Sequence, residues 1–195
     1  MFTGIIEDLG KVISVAQEGT NRRFRLAARI SRELKIDQSV AHNGVCLTVL
    51  EANAEYHEVV AVDETLKKST VGNWRMGLEV NLERCMVNNG RFDGHIVQGH
   101  VDQTGIVSRI EKLDGSWLYD FTYDAALGNV TVEKGSICIN GVSLTCFNSR
   151  ADGFTIAIIP YTYEHTSFHL LREGDEVNLE FDIIGKYVKK LLDPA

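Results

Sequence analysis

Along most of this chain, apolar side chains recur at every second position rather than every third or fourth. Residues 11–15, 22–26, 45–50, 57–62 and 79–82 carry that alternation with many β-branched side chains, which predicts strands. In the second half the same reading predicts strands at 106–110, 117–122, 136–139, 142–147, 154–159 and 176–181. Asn43-Gly44 and Asn140-Gly141 each fall between two apolar runs, where the pair supplies the positive φ angles of a tight hairpin turn. Short helical pieces are predicted at 31–35, 65–71 and 124–127. The longer helix is predicted at 184–192, with Ile184, Val188, Leu191 and Leu192 on one face and Lys186, Lys189 and Lys190 elsewhere.

The two halves are one pattern written twice. Ser39 to Val49 lies over Ser136 to Cys146, and Gly77 to Glu83 lies over Gly174 to Glu180, both at an offset of 97 residues. In the second block, every position but Leu78/Asp175 is identical. Gly4-Ile5-Ile6-Glu7 faces Gly99-His100-Val101-Asp102 at an offset of 95. A long period repeated only twice is a duplicated domain, not a solenoid. With about six strands in roughly 90 residues, each copy is expected to close into a barrel, because an open sheet that small leaves bare edges. The expected units are 1–93, 94–183 and a C-terminal helical segment, 184–195. No third domain follows for that helix to pack on, so its partner is expected to be another subunit.

Composition narrows the function classes. With 44% hydrophobic and 24% charged residues, the chain can build a soluble core. A net charge of −7 gives no electrostatic footprint for nucleic acid or an anionic membrane. No apolar run approaches the roughly 20 residues of a membrane helix. The opening Met1-Phe2-Thr3-Gly4-Ile5-Ile6-Glu7-Asp8 lacks a basic segment and turns acidic at once, unlike a signal peptide. Cys46, Cys85, Cys138 and Cys146 form no Cys-x-x-Cys pair, which favours free thiols in a reducing cytoplasm over disulfides or zinc.

Positions where the copies differ mark candidate chemistry. Cys46 faces Ser143, Cys85 faces Asp182 and Ile5 faces His100, whereas Ser39/Ser136 and Thr48/Thr145 agree. Drift at a small core position explains any one difference; together they suggest that one copy was specialised. A thiol can serve as a nucleophile where a hydroxyl needs a base. His95 and His100, five apart in an extended segment, point to opposite faces and cannot share one metal ion without a bulge. No metal site is therefore expected. His100, beside Gly99, suits acid–base work, while His95 reads more readily as a structural histidine. Phosphate-loop, dinucleotide and nucleophile-elbow motifs are missing from the sequence. Trp74 and Trp117 read as packing residues, and Glu83 and Glu180 as structural, closing turns.

Three segments of the first half and four of the second carry a resemblance. They are Met1 to Glu7, Asn43 to Val49, Val80 to Arg84, Gly94 to Asp102, Lys134 to Ile137, Gly141 to Thr145 and the tail Gly185-Lys186-Tyr187-Val188. As a set, running nearly the whole chain, they resemble the riboflavin synthase family. The resemblance implies an all-β fold of two similar six-stranded Greek-key barrels plus a C-terminal helix. It also implies a homotrimer held by those helices, with each active site between the N-barrel of one subunit and the C-barrel of a neighbour. The implied reaction is a dismutation: two molecules of 6,7-dimethyl-8-ribityllumazine exchange a four-carbon unit, giving riboflavin and 5-amino-6-ribitylaminouracil. No metal or redox cofactor is implied. Association with lumazine synthase is a further partner to be considered.

Carried over position by position, the catalytic set is Ser39 and Cys46 on the N-barrel side, with His100 near the site, and Thr145 and Asp182 on the C-barrel side. The substrate-binding set adds Gly4, Ile5, Ile6, Leu47, Thr48, Val60, Ala61, Val62, Asp63, Glu64, Thr65, Gly99 and Val101. From the second half it takes Lys134, Ser143, Leu144, Ala157, Ile158, Ile159, Pro160, Tyr161 and Thr162. Much of that contact is expected through backbone. Departures from the family pattern stand at Asp63, Asp93, Asn140 and Tyr161. The rival reading is a non-catalytic lumazine or flavin carrier of the same fold, which has no need of the polar residues retained here. A purely structural protein gives no reason for Cys46, His100 and Asp182 to break the repeat.

Overall fold

The computed structural model describes residues 1–192, so the last part of the expected helical segment, 193–195, lies outside the described residues. The first barrel consists of β1 (Asp8–Glu18), β2 (Asn21–Ala27), β3 (Ser39–His42), β4 (Val45–Ala52), β5 (His57–Ala61) and β6 (Glu79–Arg84). The second consists of β7 (Gln103–Leu113), β8 (Ser116–Tyr123), β9 (Ser136–Ile139), β10 (Val142–Arg150), β11 (Gly153–Ile158) and β12 (Glu176–Phe181). Both close in the same Greek-key order, β1-β2-β5-β4-β3-β6 and its counterpart β7-β8-β11-β10-β9-β12, with every pairing antiparallel. Helices α1 (Asp63–Lys68) and α2 (Pro160–His165) occupy matching places after β5 and β11, and α3 (Ile183–Leu192) ends the chain.

The Asn-Gly turns behave as their sequence dictates. Asn43 and Gly44 have φ of 46° and 77°, and Asn140 and Gly141 have 46° and 83°, the doubly positive pattern of a type I′ turn. They close the two-residue hairpins β3–β4 and β9–β10, pairing His42 with Val45 and Ile139 with Val142. The sequence pattern missed β3 but not its counterpart β9, although both are buried beyond the first serine: Ala41 and His42 stand where β9 has Cys138 and Ile139, so the apolar run is broken. The helix expected at 65–71 is instead α1 and a 3-10 turn, Thr70–Asn73, separated by extended Ser69. Ser69 breaks the helix by capping, its Oγ accepting from the Val71 N–H. The pieces expected at 31–35 and 124–127 are 3-10 turns at Arg29–Glu33 and Ala125–Leu127. Helix α2 was not anticipated, although Pro160 at its first position is a start signal.

Each barrel fills its own interior. Val12, Phe24, Leu26, Val49, Val59, Val80 and Leu82 pack with Trp74 in the first. Val107, Tyr119, Phe121, Phe154, Ile156, Val177 and Leu179 pack in the second. Trp74 meets Phe24 edge to face at 5.2 Å, and Trp117 stacks flat on Tyr163 at 3.9 Å, so both tryptophans do pack. All four cysteines are free thiols.

Bonds across the barrel boundary are reciprocal, as a local two-fold axis requires. Asn81 donates its side-chain N–H to the Asn140 carbonyl, and Asn178 donates to the Asn43 carbonyl, each at 2.8 Å. Their amide oxygens accept the backbone N–H groups of Ser167 and Thr70, each at 2.7 Å. The two turns also meet on this axis: a Cβ on Gly44 would lie 2.8 Å from the Gly141 nitrogen, and a Cβ on Gly141 would lie 2.8 Å from that of Gly44.

Candidate active site

The segments leading into the two barrels build the site, because each bridges both barrels. Buried Glu83 on β6 accepts the backbone N–H groups of Thr3 (2.6 Å) and Gly4 (2.9 Å) together with the Thr3 hydroxyl (2.9 Å). Buried Glu180 on β12 accepts those of Gln98, Gly99 and His100 at 2.6, 2.9 and 3.0 Å. Burial pushes both carboxyls up, and the N–H bonds pull them back toward ionisation. These carboxylates therefore satisfy turn N–H groups, as the sequence suggested. Between them the segments pair with each other, Phe2 donating to Val97 at 2.7 Å and Val97 to Phe2 at 3.1 Å.

Each segment then delivers its next residues to the opposite barrel. The Ser143 N–H on β10 donates to the Gly4 carbonyl, and the Cys46 N–H on β4 donates to the Gly99 carbonyl, each at 2.8 Å. Ile6 packs against the core of the second barrel, and Val101 against that of the first. Ile5 thus lines the C-barrel mouth, and His100, exposed, directly follows the Gly99 whose carbonyl accepts from Cys46. Glycine is required at both crossings. Gly4 and Gly99 have φ of 79° and 81°, and a Cβ there would lie 2.5 Å from the Ser143 Cβ and 2.6 Å from the Cys46 Cβ.

At the C-barrel mouth lies a cavity of about 580 Å³. Of the expected binding residues, Ile5, Lys134, Ser143, Leu144, Thr145, Ala157, Ile159 and Thr162 line it, with Asp93, Gly94, Ser136 and Phe147. Pro160 and Tyr161 are exposed on the first turn of α2 and do not line it. The matching N-barrel positions are Ser39, Cys46, Leu47, Thr48, Val60, Val62 and Thr65, with Asp63 and Glu64 on the first turn of α1. Ser39 pairs with Thr48 across β3 and β4, and Cys46 pairs with Ala41. The side chains of Leu47, Ala61 and Ile158 point into the barrel cores, leaving only their backbone for contact at the mouths.

The five expected catalytic residues divide into two groups. Ser39 and Cys46 stand on β3 and β4 of the first barrel and His100 follows Gly99, and none of the three lines the C-barrel cavity, which holds Thr145. Asp182 does not line that cavity: its carboxylate caps α3, accepting the Ile184 N–H at 3.0 Å, and it lines a second cavity of about 300 Å³ with Lys186, Lys189 and Lys190. One residue set aside in the sequence reading enters the site: His95 Nδ1 is 2.7 Å from the Ser143 hydroxyl. Burial lowers the pKa of its imidazole, and the Asp182 charge partly restores it. Gly94 was the available signal, being the residue that lets the chain pass close to Ser143.

Known proteins agree with this architecture. The lumazine binding domain family matches twice, at residues 3–85 and 98–182. The riboflavin synthase of Bacillus subtilis is 40% identical over 196 residues, covering all of this chain and 91% of that one. That of Saccharomyces cerevisiae is 39% identical over 204 residues, covering 97% of this chain and 85% of its own. Among solved structures, LumP complexed with riboflavin superposes with a TM-score of 0.85 at 21% identity, covering 93% of this chain and 99% of that chain. At that identity the likeness shows the fold alone. Duplicated barrels, exchanged leading segments and full-length identity near 40% together make this chain a member of the riboflavin synthase family, enzymes of the transferase class.

Proposed function

We propose that the chain catalyses dismutation of 6,7-dimethyl-8-ribityllumazine, one molecule giving up a four-carbon unit to a second, with riboflavin and 5-amino-6-ribitylaminouracil as products. The observation that carries this reading is a pair of matching crossings unlike in chemistry: Gly99, followed by His100, meets Cys46 on the first barrel, and Gly4, followed by Ile5, meets Ser143 on the second. A dismutation needs that difference, since it asks two identical molecules to play different parts. One lumazine loses a proton from its acidic 7-methyl group, and the electron pair stays in the ring system. The other accepts a nucleophile at C7.

His100 or a nearby hydroxyl assists the deprotonation, and Ser39, Cys46 or water supports the addition, with Thr145 and Asp182 serving from the C-barrel side. Backbone at 46–48, 62–65, 143–145 and 159–162 cradles the rings, aided by Gly4, Ile6, Gly99, Val101 and Lys134. The barrels, taken as units 1–93 and 94–183, complete one another across a subunit boundary. Ile184, Tyr187, Val188, Leu191 and Leu192 on α3 are exposed apolar side chains, and they support a homotrimer held by these helices. A cytoplasmic setting and association with lumazine synthase complete the proposal. Mixing the purified chain with the lumazine and following riboflavin absorbance and fluorescence tests it. Riboflavin formation is expected; binding without riboflavin would make the chain a carrier.

A further inference from the structure

A cavity of about 520 Å³ lies between the barrels and shares no lining residue with the one at the C-barrel mouth. Every residue that lines it from the first copy is matched in the same wall by the residue 97 positions on, so the cavity straddles the local two-fold axis. Asn43 and Asn140, from the two turns that meet on that axis, both line it. Asn43 Oδ1 accepts the Asn81 N–H and Asn140 Oδ1 the Asn178 N–H, each at 2.8 Å, which fixes which end of each amide is the nitrogen. The two asparagines are only 6% and 4% exposed, and their Nδ2 groups have no acceptor among the described residues.

The same wall holds two more orphans. Among the described residues, the buried side-chain nitrogens and oxygens left without a partner are Trp74 Nε1 and Ser167 Oγ, and both residues line this cavity. Buried polar groups are almost always paired in folded proteins, so four unpaired groups around one cavity point to a ligand. Its charges are mixed. Arg75 and Arg172 share the wall with Glu79, Asp175 and Glu176, which leaves one negative charge in excess and no attraction for a polyanion. Glu176 already accepts the Asn73 amide at 3.0 Å, and Asp175 the Arg172 backbone N–H at 2.8 Å. The asparagine pair, by contrast, offers donors alone. We propose that this cavity binds a small uncharged ligand through two carbonyl oxygens, one to each asparagine, and that a pyrimidinedione ring is the chemistry it fits. Such a ring sets two carbonyls on either side of one nitrogen, so a two-fold pair of acceptors meets a two-fold pair of donors. The lumazine and both products of the proposed reaction carry that ring. Their role as natural occupants rests on that reading; the site itself does not.

The test titrates the full nitrogen-15-labelled chain with uracil, the bare ring, and follows the side-chain amide resonances of Asn43 and Asn140. Both should shift and saturate at low millimolar uracil. They should do so equally in Thr48→Trp/Thr145→Trp, where both mouths are blocked. Cytosine, with an amino group in place of one carbonyl, is expected to bind at least about tenfold more weakly, because one asparagine then faces a donor. Asn43→Asp and Asn140→Asp each keep the turn and the oxygen that accepts Asn81 or Asn178 but remove the N–H, and each should weaken uracil by about tenfold or more. The cytosine arm needs no variant, so the test stands even if an aspartate destabilises its turn. No shift with uracil, cytosine binding as tightly as uracil, or loss of the shift when the mouths are blocked each overturns the proposal. Inorganic phosphate moving the same resonances at lower concentration than uracil also overturns it, by making this an oxyanion site. A chain that binds uracil here but makes no riboflavin overturns only the functional reading and leaves the site in place.

Discussion

His42 and His57 face each other in the core of the first barrel, Nε2 to Nε2 at 2.9 Å, and both are 0% exposed. The neighbours fix the proton between them. His42 Nδ1 lies 3.0 Å from the Val40 carbonyl, which only accepts, so Nδ1 carries hydrogen and the neutral ring leaves Nε2 bare. His57 therefore donates from Nε2, and its own bare Nδ1 accepts the Ser31 hydroxyl at 2.9 Å. Every polar atom is satisfied while both rings are neutral, and a further proton has no acceptor to meet.

Acid should consequently loosen the first barrel. Burial lowers His42 well below its usual value, the His57 charge adding to this, and burial lowers His57 to about 4, with Asp8 opposing. A folded pKa below the unfolded one means the unfolded chain binds the extra proton first. The stabilisation is complete above about pH 6.5 and is lost as pH falls toward 4. His57 alone should withdraw roughly 2 kcal/mol between pH 7 and pH 5. Thermal melts followed by fluorescence of Trp74, packed in this core, check it. Replacing the pair with its second-barrel counterparts, His42→Ile and His57→Phe after Ile139 and Phe154, should flatten the pH dependence; an equally steep fall in that variant would refute the assignment.

Glu83 and Glu180 are 4% and 3% exposed and hold the crossing segments through backbone N–H groups. Glu180→Ala should cost about 2–4 kcal/mol, because three N–H groups lose their acceptor at once. It should also free the segment that carries His100. Chemical denaturation measures the first effect and riboflavin formation under folded conditions the second.

Gly4→Ala should cost about 2–3 kcal/mol, since φ at 79° and an approach of 2.5 Å to Ser143 both oppose a Cβ. Gly77, with φ of 88° and open space around it, should pay only the backbone part, near 1 kcal/mol. Comparing the two variants by denaturation separates close approach from backbone strain.

Single-turnover rates on Cys46→Ser and His100→Gln should both fall, by about tenfold or more. Unchanged rates in both would remove these residues from the chemistry. Separately, Leu191→Lys on the exposed face of α3 should shift sedimentation toward the monomer while leaving both barrels folded, as read by circular dichroism.

Sequence patterning made the barrels legible because duplication supplied its own control. Asn43-Gly44 and Asn140-Gly141 announce hairpins independently, and their equal register leaves little freedom for the strands around them. Strand β3 stayed hidden where its equally buried counterpart β9 did not, because Ala41 and His42 interrupt the apolar run that Ile137, Cys138 and Ile139 carry. The exchange of leading segments was hidden for a different reason. Gly4 and Gly99 look alike in the repeat, but only in space does each meet the other copy's β-hairpin, at Ser143 and Cys46. Site positions such as Thr145 and Ile159 could be carried over from the resemblance one at a time. The His95–Ser143 contact, 48 residues apart in sequence, has no local signature beyond a glycine.

Subunit complementation asks most directly whether two unlike mouths from different subunits make one site. Thr48 and Thr145 are exposed counterparts on β4 and β10, so Thr48→Trp should block the N-barrel mouth and Thr145→Trp the C-barrel mouth, each without reaching a core. Each variant alone should make almost no riboflavin. Co-assembled, a neighbouring pair of intact mouths forms again, and synthesis should return to a substantial fraction of the parent rate. Mixed assemblies as inactive as the separate variants would contradict the account.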